Sequence, residues 1–232
     1  MTIGNTVVNI EADAFYNFNA LTSIGIPYSV TNIGSGAFFA CFGLTAITVD
    51  ANNPIFSSVA GVLFDKSQTT LIEYPIGKRG NSYVIPNSVI NLANDAFYYC
   101  TSLKGFYFQG NAPSANSTVF IGDSATNATI YYLPGTMGWS TTFVGLPTKL
   151  WNPQVQTMSA TFGVQNNQFG FNITGTSNLV IVVESCTNVA SPVWLPLSTN
   201  TLKTFIGTNG TSYFSDPQWA NYPGRFYRLR SP

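Results

Sequence analysis

Carboxylates are the side chains of this sequence best suited to acid–base chemistry. A glycoside-hydrolysing enzyme needs two of them, one acting as the acid and one as the base or nucleophile, roughly 5 to 10 Å apart. The candidates are Asp65, Glu73, Asp95, Asp123, Glu184 and Asp216. The sequence contains no histidine, which removes the commonest general base, the commonest metal ligand and every Ser-His or Cys-His pair. We therefore predict a protein that is not an enzyme and has no cofactor or metal, and hydrolysis by two carboxylates stays a third hypothesis.

Cysteine chemistry is equally restricted. The three cysteines, Cys41, Cys100 and Cys186, are too few and too widely spaced for a disulfide framework or a zinc site. Cys41 and Cys100 occupy the same position of the repeat described below, two coils apart, which corresponds to roughly 9 to 10 Å. A disulfide requires Cα atoms closer than about 7 Å. We expect all three to be buried free thiols.

The composition indicates a folded chain without a highly charged partner. Of the 232 residues, 45% are apolar and only 8% are charged, and nine basic residues balance nine acidic ones. No basic patch is visible that would attract nucleic acid, and no apolar stretch reaches the roughly 18 residues of a membrane span. The N-terminus lacks the basic and apolar regions of a signal peptide.

The elements that must position these side chains repeat at a constant offset of 23 in residue number. Six apolar residues of the first copy recur in the second. They are Val7, Ile10, Ala14, Phe15, Leu21 and Ile24, which recur as Val30, Ile33, Ala37, Phe38, Leu44 and Ile47. A third copy around Phe97 follows after a longer intervening unit, for which we predict a variant coil with a hairpin at 65–70.

Such a repeat predicts a stacked solenoid, because the apolar side of each unit is covered only by its neighbours. The alternating L-x-x-I-x-I segment of each unit is typical of a short strand, so strands of successive coils should form a parallel sheet. Phe15, Phe38 and Phe97 should stack in the core. The predicted fold class is mainly β, with a solenoid that has one parallel strand per coil, followed by a small antiparallel β-sandwich.

These residues resemble the BspA-like leucine-rich repeats, whose pattern is close to IP-x-S-V-T-x-I-G-x-x-A-F-x-x-C-x-x-L-x-x-I-x-I. The resemblance covers residues 1–106, and the segment GVLFDKSQTTLIEYP resembles a variant repeat of the same family. It implies a bacterial secreted or cell-surface protein that takes part in adhesion and protein binding. Because the chain starts in phase with a repeat and shows no signal peptide, we interpret it as N-terminally incomplete.

The rest of the chain loses the period of the repeat. We predict a solenoid domain at 1–152 that includes a terminal cap at 107–152, closed by the rings of Tyr131, Tyr132, Trp139, Phe143 and Trp151. Short alternating runs separated by turn residues predict the sandwich domain at 153–232. The residues FYRL at 226–229, near its end, resemble a C-terminal module of secreted bacterial proteins, which implies a role in export or attachment to the surface.

Outward positions of the predicted solenoid strands are our candidate ligand contacts. They are Thr22, Thr45, Thr48, Glu73, Lys104 and Tyr107. The expected partner is a protein or another cell-surface ligand, although the same polar residues would also suit a solvated strand. The alternative is a carbohydrate-binding protein in which Trp194, Trp219 and Tyr222 stack on sugar rings, and these rings would equally suit a core.

Overall fold

The computed structural model describes residues 1–122, 127–203 and 210–232. The chain divides into two compact units, Met1–Thr148 and Lys149–Pro232. The described residues form strands and turns, with a short 3-10 helix at Trp219–Asn221 and no α-helix among them. The predicted mainly β fold is therefore confirmed.

The solenoid is built from short strands separated by turns. They are β1 (Asn9–Ile10), β2 (Ser23–Ile26), β3 (Asn32–Ile33), β4 (Ala46–Val49), β5 (Phe56–Val59), β6 (Val62–Asp65), β7 (Thr70–Glu73), β8 (Ser82–Ile85), β9 (Asn91–Leu92), β10 (Gly105–Phe108), β11 (Thr129–Tyr132), β12 (Thr142–Phe143) and β13 (Leu146–Leu150).

Parallel pairing between strands one repeat apart confirms the solenoid. Strand β2 pairs with β4 in a register that aligns Ser23 with Ala46, which is the offset of the sequence repeat. Strand β10 pairs in parallel with β8 on one side and with β11 on the other. The pairing of β11 corrects our prediction that the repeat ends at residue 106, because a further coil follows with Phe120 in the position of Phe97.

The aromatic column of the core is divided into two sections. The rings of Phe15 and Phe38 stack with their centroids 5.7 Å apart. Phe97 instead stacks on Phe120 at 5.5 Å and contacts Tyr74 at 5.6 Å. The intervening coil thus contributes Tyr74 in place of the phenylalanine, and Phe38 and Phe97 lie in separate apolar clusters.

The long intervening unit contains the predicted hairpin and one further strand. Strand β6 pairs antiparallel with both β5 and β7, and β7 returns to the solenoid by pairing in parallel with β9. Strand β6 is buried on both faces, since Val62 and Phe64 belong to one apolar cluster and Leu63 to the other. The strand therefore separates the solenoid core into an N-terminal and a C-terminal part.

A small antiparallel pair follows the last parallel strand. Strand β12 pairs with β13, and Trp139 stacks on Tyr132 at 5.3 Å while contacting Phe108 at 5.0 Å and Phe143 at 5.4 Å. These rings cover the apolar residues of the final strands.

The second unit contains antiparallel strands, as the sequence predicts. They are β14 (Gln154–Val155), β15 (Gly163–Gln165), β16 (Gln168–Gly175), β17 (Val180–Cys186), β18 (Leu195–Thr201), β19 (Gly210–Asp216) and β20 (Phe226–Arg230). One sheet contains β14, β15, β16 and β19, and the other contains β17, β18 and β20. The ring of Tyr227 on β20 packs on Phe169, Phe171 and Phe214 of the first sheet.

Candidate functional site

The three predicted threonines lie at the sheet formed by β2 and β4: Thr48 is on β4, and Thr22 and Thr45 directly precede β2 and β4. All three are exposed. The hydroxyl of Thr45 donates to the carbonyl oxygen of Thr22 at 3.0 Å, and that of Thr48 donates to the carbonyl of Ile24 at 3.3 Å. Part of their hydrogen-bonding capacity is thus already used between neighbouring coils.

The other three predicted residues do not join this group. Lys104 is exposed but precedes β10, on a sheet in which β8 pairs with β10 and not with β4. Tyr107 is only 6% exposed and stacks on Tyr131 with centroids 4.7 Å apart. Glu73 lies on β7, which pairs with β6 and β9 and is not part of either of these sheets.

A row of aromatic side chains at the turns of successive coils is a further candidate surface. Most of its members directly follow a core residue of the aromatic column. Tyr16 contacts Phe39 at 6.0 Å, and Phe39 contacts Tyr98 at 3.7 Å. Tyr99 extends the row and approaches Phe42 at 6.4 Å. We call Tyr16, Phe39, Phe42, Tyr98 and Tyr99 the aromatic row.

The aromatic row leaves large apolar side chains in contact with water. Tyr16 is 59% exposed and Phe42 is 53% exposed. Aromatic residues are enriched at the energetic centres of protein interfaces. The sequence did contain the signal, because Tyr16, Phe39 and Tyr98 follow Phe15, Phe38 and Phe97, but the prediction considered strand positions alone.

A cleft of about 340 Å³ opens beside β7. It exists because one turn is shorter than its neighbours. Leu71 pairs with Leu92, and the amide of Tyr74 donates to Ala96, so Tyr74 corresponds to Phe97. Five positions lead from Leu92 to Phe97, but only three lead from Leu71 to Tyr74. The two missing residues leave a gap between the turns on either side.

The cleft combines apolar walls, open backbone groups and a carboxylate. Ile33, Phe38, Leu63 and Ile72 supply the apolar walls, and Glu73 supplies the carboxylate. The turn of 34–37 and residues 93–94 complete the lining.

Glu73 is an unusual carboxylate. No donor of the described residues forms a hydrogen bond or ion pair with it, and its side chain is partly buried. Burial raises the pKa of Glu73 well above its ordinary value, and the nearby charge of Asp95 raises this pKa further. The same carboxylate raises the pKa of the Cys41 and Cys100 thiols, in both cases less than burial does.

The three thiols are free and buried, as predicted. The Cys41 thiol donates to the carbonyl oxygen of Phe15 at 2.9 Å, and Cys100 lies 3.7 Å from the carbonyl of Tyr74. The cysteine position of the repeat therefore links one turn to the preceding one.

Comparison with known families decides the family of this solenoid. The sequence pattern of the BspA type leucine-rich repeat region matches residues 1–75 and 77–136 with six copies. The chain belongs to the BspA-type leucine-rich repeat family. The BspA-type region thus ends at residue 136, well beyond residue 106 where we expected its end.

Three solved structures of bacterial proteins are similar to parts of this chain. The pneumococcal vaccine antigen PcpA is 30% identical over 45% of this chain and 26% of its own, with a TM-score of 0.39. A leucine-rich repeat protein of Eubacterium ventriosum ATCC 27560 is 20% identical over 59% of this chain and 42% of its own (TM-score 0.46). A leucine rich cell surface protein of Faecalibacterium prausnitzii A2-165 is 24% identical over 57% and 47% (TM-score 0.38).

Two further results accompany these comparisons. This BspA-type chain spans less than half the length of each of the three, and no curated protein matches it. None of the described residues belongs to a helix that is long and apolar enough to cross a membrane.

The carboxylates of the second unit are held in ion pairs. Glu184 accepts from Arg228 at 2.7 Å and from Arg230 at 2.5 Å. Burial opposes the ionisation of Glu184, but hydrogen bonds from Arg230 and Arg228 outweigh burial and lower its pKa. Asp216 pairs with Arg225 at 3.0 Å and accepts from the Tyr227 hydroxyl at 2.9 Å. The FYRL segment therefore contributes a core ring and an ion-pair partner.

The last two of the six carboxylate candidates are Asp65 and Asp123. Asp65 is enclosed by its own hairpin, where Oδ1 accepts from the amide of Thr70 at 2.8 Å and Oδ2 from the hydroxyls of Ser67 and Thr69. Asp65 therefore holds the turn of the hairpin that we predicted at 65–70. Asp123 lies outside the described residues.

The rings that could bind a sugar are partly covered. The guanidinium of Arg228 lies 4.4 Å above Trp194, and that of Arg225 lies 4.3 Å from the ring of Tyr222. The indole of Trp219 donates to the carbonyl oxygen of Asn167 at 3.3 Å. One face of Trp194 and one of Tyr222 are thus occupied by cations, and no observation favours a glycan as the ligand.

Proposed function

We propose that this protein is a non-catalytic, protein-binding member of its family that acts at the bacterial cell surface, with the solenoid as the binding unit. Family membership supports the general role. The single observation that carries the proposal is the aromatic row, because two of its large rings, those of Tyr16 and Phe42, remain more than half exposed. Such rings lose much apolar surface to water when a partner covers them.

Two surfaces are open to the partner. The aromatic row offers apolar area, and the β2–β4 face offers the threonine hydroxyls of the predicted site. The rings supply more binding free energy per residue than threonine, since hot spots of interfaces are enriched in Tyr and depleted in Thr. We therefore propose the aromatic row as the centre of the interface and the threonines as a secondary surface.

The absence of catalysis is part of the proposal. The chain has no histidine, and Asp65, Glu184 and Asp216 each hold structural hydrogen bonds or ion pairs. Catalytic carboxylates need access to a substrate and a pair at a defined separation. Because these three side chains already form structural hydrogen bonds or ion pairs, we propose no catalytic role for them.

A binding screen tests the proposal. The full chain is applied to arrays of extracellular-matrix proteins, bacterial surface proteins and glycans, and each protein hit is re-measured with variants. We expect Tyr16→Ala together with Phe42→Ala to weaken binding about tenfold or more, because truncation of a central interface ring often costs over about 1.4 kcal/mol.

Matched variants identify the surface. Thr45→Arg changes the β2–β4 face, and Thr31→Arg changes an exposed position outside both surfaces. If Thr45→Arg abolishes binding and the variant of Tyr16 and Phe42 does not, the interface lies on the β2–β4 face. Binding to glycans without any protein hit would contradict the proposal.

A further inference from the structure

The cleft beside β7 has a physical origin that distinguishes it from an ordinary surface depression. Elsewhere in the solenoid, the turn of one coil donates backbone hydrogen bonds to the turn of the next. The amide of Phe15 donates to Ala37 at 2.9 Å, and that of Phe97 donates to Val119 at 3.0 Å. These bonds hold successive turns in contact.

The backbone hydrogen bonds between successive turns are interrupted at the shortened turn between Leu71 and Tyr74. Among the described residues, the amides of Gly36 and Phe38 donate to no backbone carbonyl. Both residues line the cleft. The turn of the neighbouring coil is two residues too short to supply carbonyl acceptors to these two amides. The cleft lies where those residues would otherwise be.

The chemistry of the cleft selects a cation. Glu73 has no partner among the described residues and is partly buried, so its ionised form is disfavoured and an opposite charge in the cleft would stabilise it. The titratable groups that face it are the carboxylate of Asp95 and the thiols of Cys41 and Cys100. The carboxylate of Asp13 lies against Gly36 on the neighbouring turn. None of these groups can carry a positive charge.

The walls of the cleft suit the stem of such a ligand. Ile33, Leu63 and Ile72 offer apolar contacts, and long basic side chains bury their methylene groups against apolar surface while the charged end keeps a polar partner. We infer that this cleft binds a single cationic side chain, lysine or arginine, of a protein partner, with its charge on Glu73. The inference rests on the proposed function for the statement that the cation belongs to a protein.

Probe binding tests the cleft directly in the full chain. The probes are the blocked amino acids Nα-acetyl-lysine methylamide, its arginine analogue and the uncharged norleucine analogue, and backbone amide NMR shifts report where each one binds. We expect both cationic probes, but not norleucine, to shift Gly36, Phe38 and Glu73. Lysine and arginine are distinguished by which gives saturation at the lower concentration.

Two charge-removing variants supply the control. Glu73→Gln should weaken binding of the cationic probe about tenfold or more, because a charge-assisted hydrogen bond is lost. Asp50→Asn removes the same charge at an exposed position outside the cleft lining and should leave binding unchanged. The amide spectrum and thermal unfolding of each variant confirm that it is folded.

Several outcomes overturn the inference. They are equal shifts with norleucine, equal binding by Glu73→Gln, or shifts that do not include the cleft. Its failure is separable from that of the proposed function, because protein partners found on the arrays would still bind through the aromatic row. If Glu73 binds the cationic probes while every protein on the arrays is silent, the proposed function fails and the cleft remains a cation site.

Discussion

At the scale of single residues, a buried side-chain amide connects the long intervening unit to the preceding coil. Asn53 is fully buried. Its Nδ2 donates to the carbonyl oxygens of Pro27 and Val30, both at 2.8 Å, and its Oδ1 accepts from the amides of Ile55 and Phe56 at 2.9 and 2.7 Å. All of its hydrogen-bonding capacity is therefore used in positioning the backbone.

Replacing this amide should be costly. We expect Asn53→Ala to lower the free energy of unfolding by about 3 kcal/mol, because four backbone groups, three of them on buried residues, lose their partners. Urea unfolding measures the change, and Asn52→Ala at the exposed neighbouring position serves as the control. Equal stability of the two variants would show that the backbone groups find other partners.

Glu73 should make stability depend on pH in a defined direction. Its pKa in the folded chain is raised above the ordinary 4.5 by burial and then by Asp95. The folded state therefore binds more protons than the unfolded state between these two pKa values, and the free energy of unfolding falls as pH rises through this range. Glu73→Gln should remove this fall and be more stable than the parent at neutral pH.

Unfolding in urea from pH 4 to pH 8 measures this effect. The exposed Glu11→Gln provides a variant with the same chemical change. If the difference between Glu73→Gln and the parent chain stays constant over the range, Glu73 does not titrate differently in the folded protein.

The repeat positions of acidic residues were predictable, but the place of Glu73 was not. Asp13 and Asp95 share a position with Gly36, and the structure gives the reason, since the three have a positive φ of 56°, 60° and 67° respectively. Asp tolerates this region better than most residues other than glycine. Glu73 was assigned to the strand face because the sequence does not reveal that the insertion of a hairpin also shortens the turn that follows it.

At the scale of elements, the interrupted turn should be visible in hydrogen exchange. Phe38 and Phe97 occupy equivalent repeat positions, but only the amide of Phe97 donates to a carbonyl of the next coil. We expect the Phe38 amide to exchange faster than that of Phe97, since exchange protection requires a hydrogen bond that must open. Equal protection would indicate that an acceptor reaches Phe38 in solution.

The periodicity of the sequence predicts which segments are strands. It predicts only some of the pairs that these strands form. The alternation of Ile24 and Ile26 predicts a strand, and the constant offset of the repeat predicts its parallel partner. Strand β6 shows where this argument stops: the continuous apolar run Val62–Leu63–Phe64 is compatible with burial on both faces, but nothing in it indicates that the strand lies between two clusters. The coil that contains Phe120 was missed because its Asn- and Ser-rich turn lacks the Ala-Phe pair.

At the scale of the whole molecule, the buried thiols allow each unit to be followed separately. Cys41 and Cys100 lie in the first unit and Cys186 in the second. We expect no reaction of the native chain with a thiol reagent such as DTNB, because burial removes access and raises the pKa of Cys41 and Cys100. Labelling across a urea gradient, read by mass spectrometry, should then show which unit opens first.

Variants with a single cysteine replaced by alanine assign each reaction. Rapid labelling of any of the three thiols in the absence of urea would contradict their burial.

A solenoid whose coils contact only their nearest neighbours resembles a one-dimensional chain of coupled units. In such a chain, the cooperativity of unfolding is limited by the weakest interface between neighbouring coils and not by the average interface. Strand β6 divides the apolar core, and the shortened turn removes backbone bonds at the same boundary. Both features lie at one coupling, so we expect the coils before β5 to unfold before the remaining coils do.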